Sequence, residues 1–79
     1  MLLMTHNASN WTKSLIRWPG LPGTVRAERR LLPGGRAIAV RKTAAGWAWV
    51  SRRLGEERHG VASSRFAAMN AALFAGEVC

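Results

Sequence analysis

The residues able to carry chemistry are few, and they do not converge. His6 stands in a polar N-terminal stretch and His59 in a strand-like one. Neither has an adjacent nucleophile or a second metal ligand at useful spacing. Glu56 and Glu57 share a turn-like segment, with no separate acid to complete a catalytic pair. Ser63 and Ser64 precede a helical pattern and read as a cap, not as nucleophiles. Gly34-Gly35 is a turn without the lysine and spacing of a phosphate loop. Cys79 is the only cysteine, so the sequence offers neither a disulfide framework nor a cysteine metal site. The expectation is a protein without enzymatic activity, cofactor or metal.

What remains is charge and aromatic surface. Twelve Lys and Arg oppose four Asp and Glu, a formal net charge of +8, and ten of the twelve are arginine. Arginine presents a planar fork that suits phosphate and carboxylate and stacks on aromatic rings. Such a surplus draws a polyanion: nucleic acid, an acidic protein patch or an anionic membrane surface. The competing explanation is an arginine- and alanine-rich host proteome, with solubility as the only consequence. The segment RKTAAGWAWVSRRLGEERHG, Arg41 to Gly60, concentrates both features. It holds Trp47 and Trp49 between Arg41, Lys42, Arg52, Arg53 and His59.

The elements that must position these residues follow from pattern. At 79 residues the chain is one domain, and folding hides only about 60% of the unfolded surface, so four tryptophans must supply much of the core. Residues 1–23 form an N-terminal helix or arm and a Pro-Gly connector, 24–62 an antiparallel sheet, and 63–76 a helix. In the first part, Trp11, Leu15 and Trp18 fall at i, i+4, i+7 and predict a short helix over 10–18, with Ser9 or Asn10 as its cap. The alternative is an extended arm pinned by its tryptophans. Residues 24–32 are strand-like ahead of the Pro33-Gly34-Gly35 turn, although their Ala, Glu, Arg and Leu content suits a helix. Three strands follow, Arg36–Lys42, Trp47–Arg53 and Arg58–Ala62, joined by four-residue loops at 43–46 and 54–57. The last helix carries Phe66, Met69, Leu73 and Phe74 on one face and ends near Gly76. The fold class is α+β: a small antiparallel sheet of three or four strands packed on one C-terminal helix.

These loops set a register that opposes Lys42 to Trp47, Val40 to Trp49 and Ile38 to Ser51, and then Ser51 to Gly60 and Trp49 to Ala62. Side chains alternate across a sheet. One face therefore carries Ile38, Val40, Trp47 and Trp49, and the helix packs there through Phe66, Met69 and Leu73 to form the core. The other face has an alanine and valine floor rimmed by Arg41, Arg52 and His59, a shape suited to reading a groove. The alternative is that Trp11 and Trp18 cover this floor.

From Arg36 to Ala72 the pattern resembles the plant AP2 and phage-integrase N-terminal class of DNA-binding domains. Trp47 or Trp49 in the second strand, Gly60 in the third, the Ser63-Ser64 cap and the pairs Ala67-Ala68 and Ala71-Ala72 occupy that family's positions. Its Gly-Val-Arg opening and the acidic start of its helix have no counterpart here. The resemblance implies three antiparallel strands on one helix. It also implies that Arg41 and Arg52 contact bases or phosphates, with Arg36 and Arg53 near the backbone.

Two functions of different class follow. The first is a nucleic-acid-binding module for DNA or RNA, working through Arg41, Arg52, Arg53, Arg36 and Lys42, with Arg26, Arg29 and Arg30 alongside and His59 at the rim. The second is an inhibitor from a phage or mobile element, similar in size class to anti-CRISPR proteins. It would dock on an acidic surface of a nucleic-acid-processing defence complex and block its DNA path. A structural subunit using its tryptophans as interface anchors is a third, blander option. A monomer or weak dimer is expected. The opening MLLMTHNAS lacks a basic n-region and no stretch nears ~20 apolar residues, so the expected location is the cytoplasm, away from membranes.

Overall fold

The computed structural model describes residues 11–75. His6, the Ser9 and Asn10 caps, the Gly76 stop and Cys79 lie outside them. Five strands and one helix follow in order: β1 (Thr12–Arg17), β2 (Thr24–Leu32), β3 (Arg36–Thr43), β4 (Gly46–Arg53), β5 (Glu56–Ala62) and α1 (Arg65–Ala75). The strands form one antiparallel meander in the order β1-β2-β3-β4-β5. The class is α+β with a single helix, and the sheet is wider than the three or four strands expected.

The added strand comes from the segment expected to be a helix. Thr12–Arg17 pairs with Arg29–Thr24 along β2. A nine-residue helix is marginal alone, whereas pairing satisfies the backbone of a whole strand. The seven-residue spacing of Trp11 and Trp18 has a second meaning in extended chain: an odd separation sends the two indoles to opposite faces. Both are buried, while Leu15 between them is 64% exposed. The helical periodicity was therefore coincidental.

Each face of the sheet has its own apolar cluster. Between the sheet and α1 lie Trp11, Ile38 and Val40 with the helix's own Ala68 and Ala72, flanked by half-buried Trp47, Trp49, Met69 and Leu73. On the opposite face Trp18 closes over Ala27, Ala39, Ala48 and Val50, with Ile16 and Val25 beside it. Trp18 thus covers the alanine and valine floor, and Trp11 does not.

The helix presents its small residues to the sheet. Ala68 and Ala72, one turn apart, are fully buried, whereas Phe66 is 71% and Phe74 59% exposed. This corrects the assignment of Phe66 to the core. The indoles of the sheet already fill the layer, so the helix seats through alanines that allow close approach. Its start is fixed by Ser64, whose Oγ accepts the Ala67 N–H at 3.1 Å.

The β3–β4 register opposes Val40 to Trp49 and Ile38 to Ser51. The β4–β5 register differs from expectation by two residues: Trp49 faces Gly60 and Ser51 faces Arg58. The cause is a two-residue turn, Leu54-Gly55, in place of a four-residue loop. Gly55 takes φ 78°, which favours glycine in tight hairpins. A slip of two leaves every side chain on its expected face.

One irregularity bears on function. β2 pairs with β3 only from Glu28↔Val40 to Leu32↔Arg36. Both strands continue past that point, as Thr24–Ala27 and Arg41–Thr43, without pairing to each other. The sheet is split there.

Candidate nucleic-acid interface

All twelve Lys and Arg lie within residues 11–75. The three glutamates of this span each hold one arginine: Glu28 with Arg65, Glu56 with Arg58, and Glu57 with Arg52. Nine cations are left without a carboxylate partner among the described residues. Where they point follows from the register.

Arg29, Arg41, Arg52 and His59 share the helix-free face. They are not equivalent. The Arg41 guanidinium carbon sits 5.0 Å from the centroid of the Trp18 ring, a cation–π stack. Its Nε is buried and has no hydrogen-bond partner. The Arg52 Nε lies 3.3 Å from Glu57 Oε2, so part of its charge is spent within the chain. Arg29 has no carboxylate partner among the described residues, and Arg29 and Arg52 flank a shallow depression floored by Ala37, Ala39 and Val50. His59 is exposed.

Arg30, Arg36, Lys42 and Arg53 lie on the helix face. Arg36 is structural in its contacts. It donates to the Ala72 carbonyl at 3.1 Å and to Ser51 Oγ at 3.3 Å. Ala72 belongs to the last turn of α1, whose carbonyls lack partners within the helix, and a cation there also meets the negative end of the helix dipole. Ser51 is buried and satisfied by this contact. Arg30 borders a groove between Trp11 and the Phe66 edge of α1. Arg53 is exposed at the far end of β4.

The split between β2 and β3 opens a cleft of about 250 Å³ on the helix side. Lys13 from β1, Arg26 and Glu28 from β2, and Lys42 and Trp47 from β3 and β4 line it. Glu28 does not neutralise these cations on its own account. Its carboxylate accepts two hydrogen bonds from Arg65, one from Nε at 3.0 Å and one from Nη2. Those bonds hold its pKa below the ordinary carboxylate value, with burial opposing and Lys13 assisting. The same pairing raises the pKa of Arg65. Lys13, Arg26, Lys42 and Arg65 thus surround a single carboxylate at the cleft, which Arg41 also lines.

Of these cleft residues, the sequence pattern singles out Lys42, places Trp47 in the core and groups Arg26 with the other face. It does not single out Lys13, because a helix at 10–18 would not bring it to β2. Alternation along Thr12–Arg17 was the available signal: it puts Lys13 and Arg17 on one side and Ser14 and Ile16 on the other.

Among the described residues no three His, Cys, Asp or Glu cluster as metal ligands, and no helix is long and apolar enough to cross a membrane. No family model, curated protein or solved structure matches the chain.

Proposed function

We propose that the protein is a non-enzymatic nucleic-acid-binding module that uses the basic surfaces of its sheet. The observation that carries this reading is the separation of charge. Every glutamate of the described residues is tied to an arginine, and nine cations are left without a carboxylate partner among those residues; Arg36 and Arg41 are engaged within the fold, and the other seven are available to a partner on the five-stranded platform. A sheet that displays arginine from one face and lysine and arginine from a cleft on the other can neutralise a run of phosphates. The resemblance of Arg36 to Ala72 to AP2 and integrase N-terminal domains points to the same reading. Fluorescence anisotropy with labelled single-stranded DNA, duplex DNA and RNA, each over a salt series, tests it. Several released counterions and micromolar or tighter binding at physiological salt support it.

A second reading is an inhibitor of a host nucleic-acid-processing complex, of the anti-CRISPR kind from a phage or mobile element. Exposed Phe66 and Phe74 on α1 favour it, since large apolar side chains on an outer face suit a protein partner. It predicts tight binding to one complex, weak affinity for free nucleic acid, and loss of binding on Phe66→Ser.

A further inference from the structure

The cleft between β2 and β3 differs from the helix-free face, whose indole, Trp18, is buried and capped by Arg41. It joins three cations from three different strands, Lys13, Arg26 and Lys42, to the half-buried indole of Trp47. It exists because two strands of one sheet part company after Glu28↔Val40. The backbone groups that Thr24–Ala27 and Arg41–Thr43 turn toward each other have no ladder partner, so the walls also offer free N–H donors and carbonyl acceptors.

We propose that this cleft holds one unstacked nucleotide, its base against Trp47 and its phosphate among Lys13, Arg26 and Lys42, so that the protein selects single-stranded over duplex nucleic acid. The inference rests on the nucleic-acid reading above and sharpens it. An aromatic wall beside a cationic cluster matches a nucleotide, which has a flat base and a phosphate a few bonds apart. A carboxylate peptide would use the cations and leave the indole idle. In a duplex the faces of the bases are stacked inward and only base edges and the sugar-phosphate backbone are presented, so Trp47 in its recess would find no ring face to meet. The unpaired backbone groups at the split give a flipped base hydrogen-bonding partners on its edge without selecting one base strongly. Glu28 sits at the edge of this site but is engaged by Arg65, which keeps its charge turned toward the helix start.

The test compares wild type, the cleft variant Lys13→Ala/Arg26→Ala/Lys42→Ala, and the helix-free-face variant Arg29→Ala/Arg52→Ala. Each is titrated against labelled oligothymidylate, a duplex of equal length and polyglutamate, at one fixed ionic strength. Circular dichroism and thermal melting check that each variant is folded. The expected result is single-strand binding at least tenfold tighter than duplex binding, lost tenfold or more in the cleft variant and less in the other. In wild type, thymidine monophosphate should shift the indole N–H resonance of Trp47 in a proton–nitrogen correlation spectrum, a readout that needs no variant to fold. Duplex bound as tightly as single strand, an unaffected cleft variant, or an unmoved Trp47 resonance overturns the cleft assignment while leaving nucleic-acid binding in place. Polyglutamate bound as tightly as the oligonucleotide makes this an acidic-polypeptide site and overturns it too. No nucleic acid bound by wild type removes both readings at once.

Discussion

The indole of Trp49 lies directly against Gly60, its cross-strand partner: a β-carbon on Gly60 would fall 2.9 Å from Cζ2 and 3.0 Å from Nε1. Real side chains do not approach that closely, so the pair is matched in size. Gly60 gives up strand propensity so that the ring can lie down on β5. Gly60→Ala should therefore destabilise the fold by about 1–3 kcal/mol, the usual range for overpacking. The cost should shrink in a Trp49→Ala background, where the β-carbon has room. A double-mutant cycle in urea measures this coupling, and additive effects would contradict the contact.

Arg36 ties the sheet to the end of α1 through the Ala72 carbonyl and Ser51 Oγ. Arg36→Ala strips partners from both, and hydrogen bonds to a charged group each count for more than neutral ones. A loss of about 1.5–3 kcal/mol is expected in equilibrium unfolding. Nucleic-acid affinity of the folded fraction should barely change. A variant that stays stable and stops binding would return Arg36 to the contact surface.

Trp18 and Arg41 close the second face together. Trp18→Ala uncovers an alanine and valine floor and should cost about 3–5 kcal/mol, as for other buried aromatic truncations. Arg41→Ala removes the stack, worth about 0.5–1 kcal/mol at a partly exposed site, and with it a buried Nε that has no partner. Thermal melts of the two variants check the ordering. Equal losses would mean that Arg41 packs more deeply than its stack implies.

Glu28 and Arg65 join β2 to the first turn of α1. The Glu28 carboxyl is held below its ordinary pKa, first by the Arg65 hydrogen bonds. The folded state therefore prefers the charged form. Its contribution is complete above the ordinary carboxylate range and fades as pH falls through the lowered folded value. Because Arg65 is substantially solvated, the effect should be no more than about 1 kcal/mol. Urea midpoints at neutral and acidic pH, for wild type and Glu28→Gln, measure it. The variant should show a smaller acid-induced loss, and an identical loss would place the effect elsewhere.

The parts of this fold legible in sequence were those where local chemistry and tertiary demand agree. Ile38 and Val40 against Trp49 and Ser51 could be paired because a turn at Thr43–Gly46 fixes the β3–β4 register whichever way its residues are counted. Ser64 capped the helix for the same local reason. Three features depended on long-range partners. β1 exists because β2 offers it an edge, and nothing local to Trp11–Trp18 announces that. Phe66 faces outward because indoles from three distant positions had already filled the layer under α1. The cleft arises where β2 changes partners, so Lys13, Arg26 and Lys42 meet through pairings that no single stretch encodes.

The most direct measurement is the salt dependence of binding to nucleic acid. Labelled single-stranded DNA, duplex DNA and RNA would be titrated by anisotropy from low to physiological salt. With nine cations lacking carboxylate partners among the described residues, the account predicts micromolar or tighter binding at physiological salt, a preference for one strand form, and a log–log slope equivalent to several phosphates neutralised. Binding that is indiscriminate and disappears at physiological salt would contradict it, and the charge would then serve a protein partner or solubility alone.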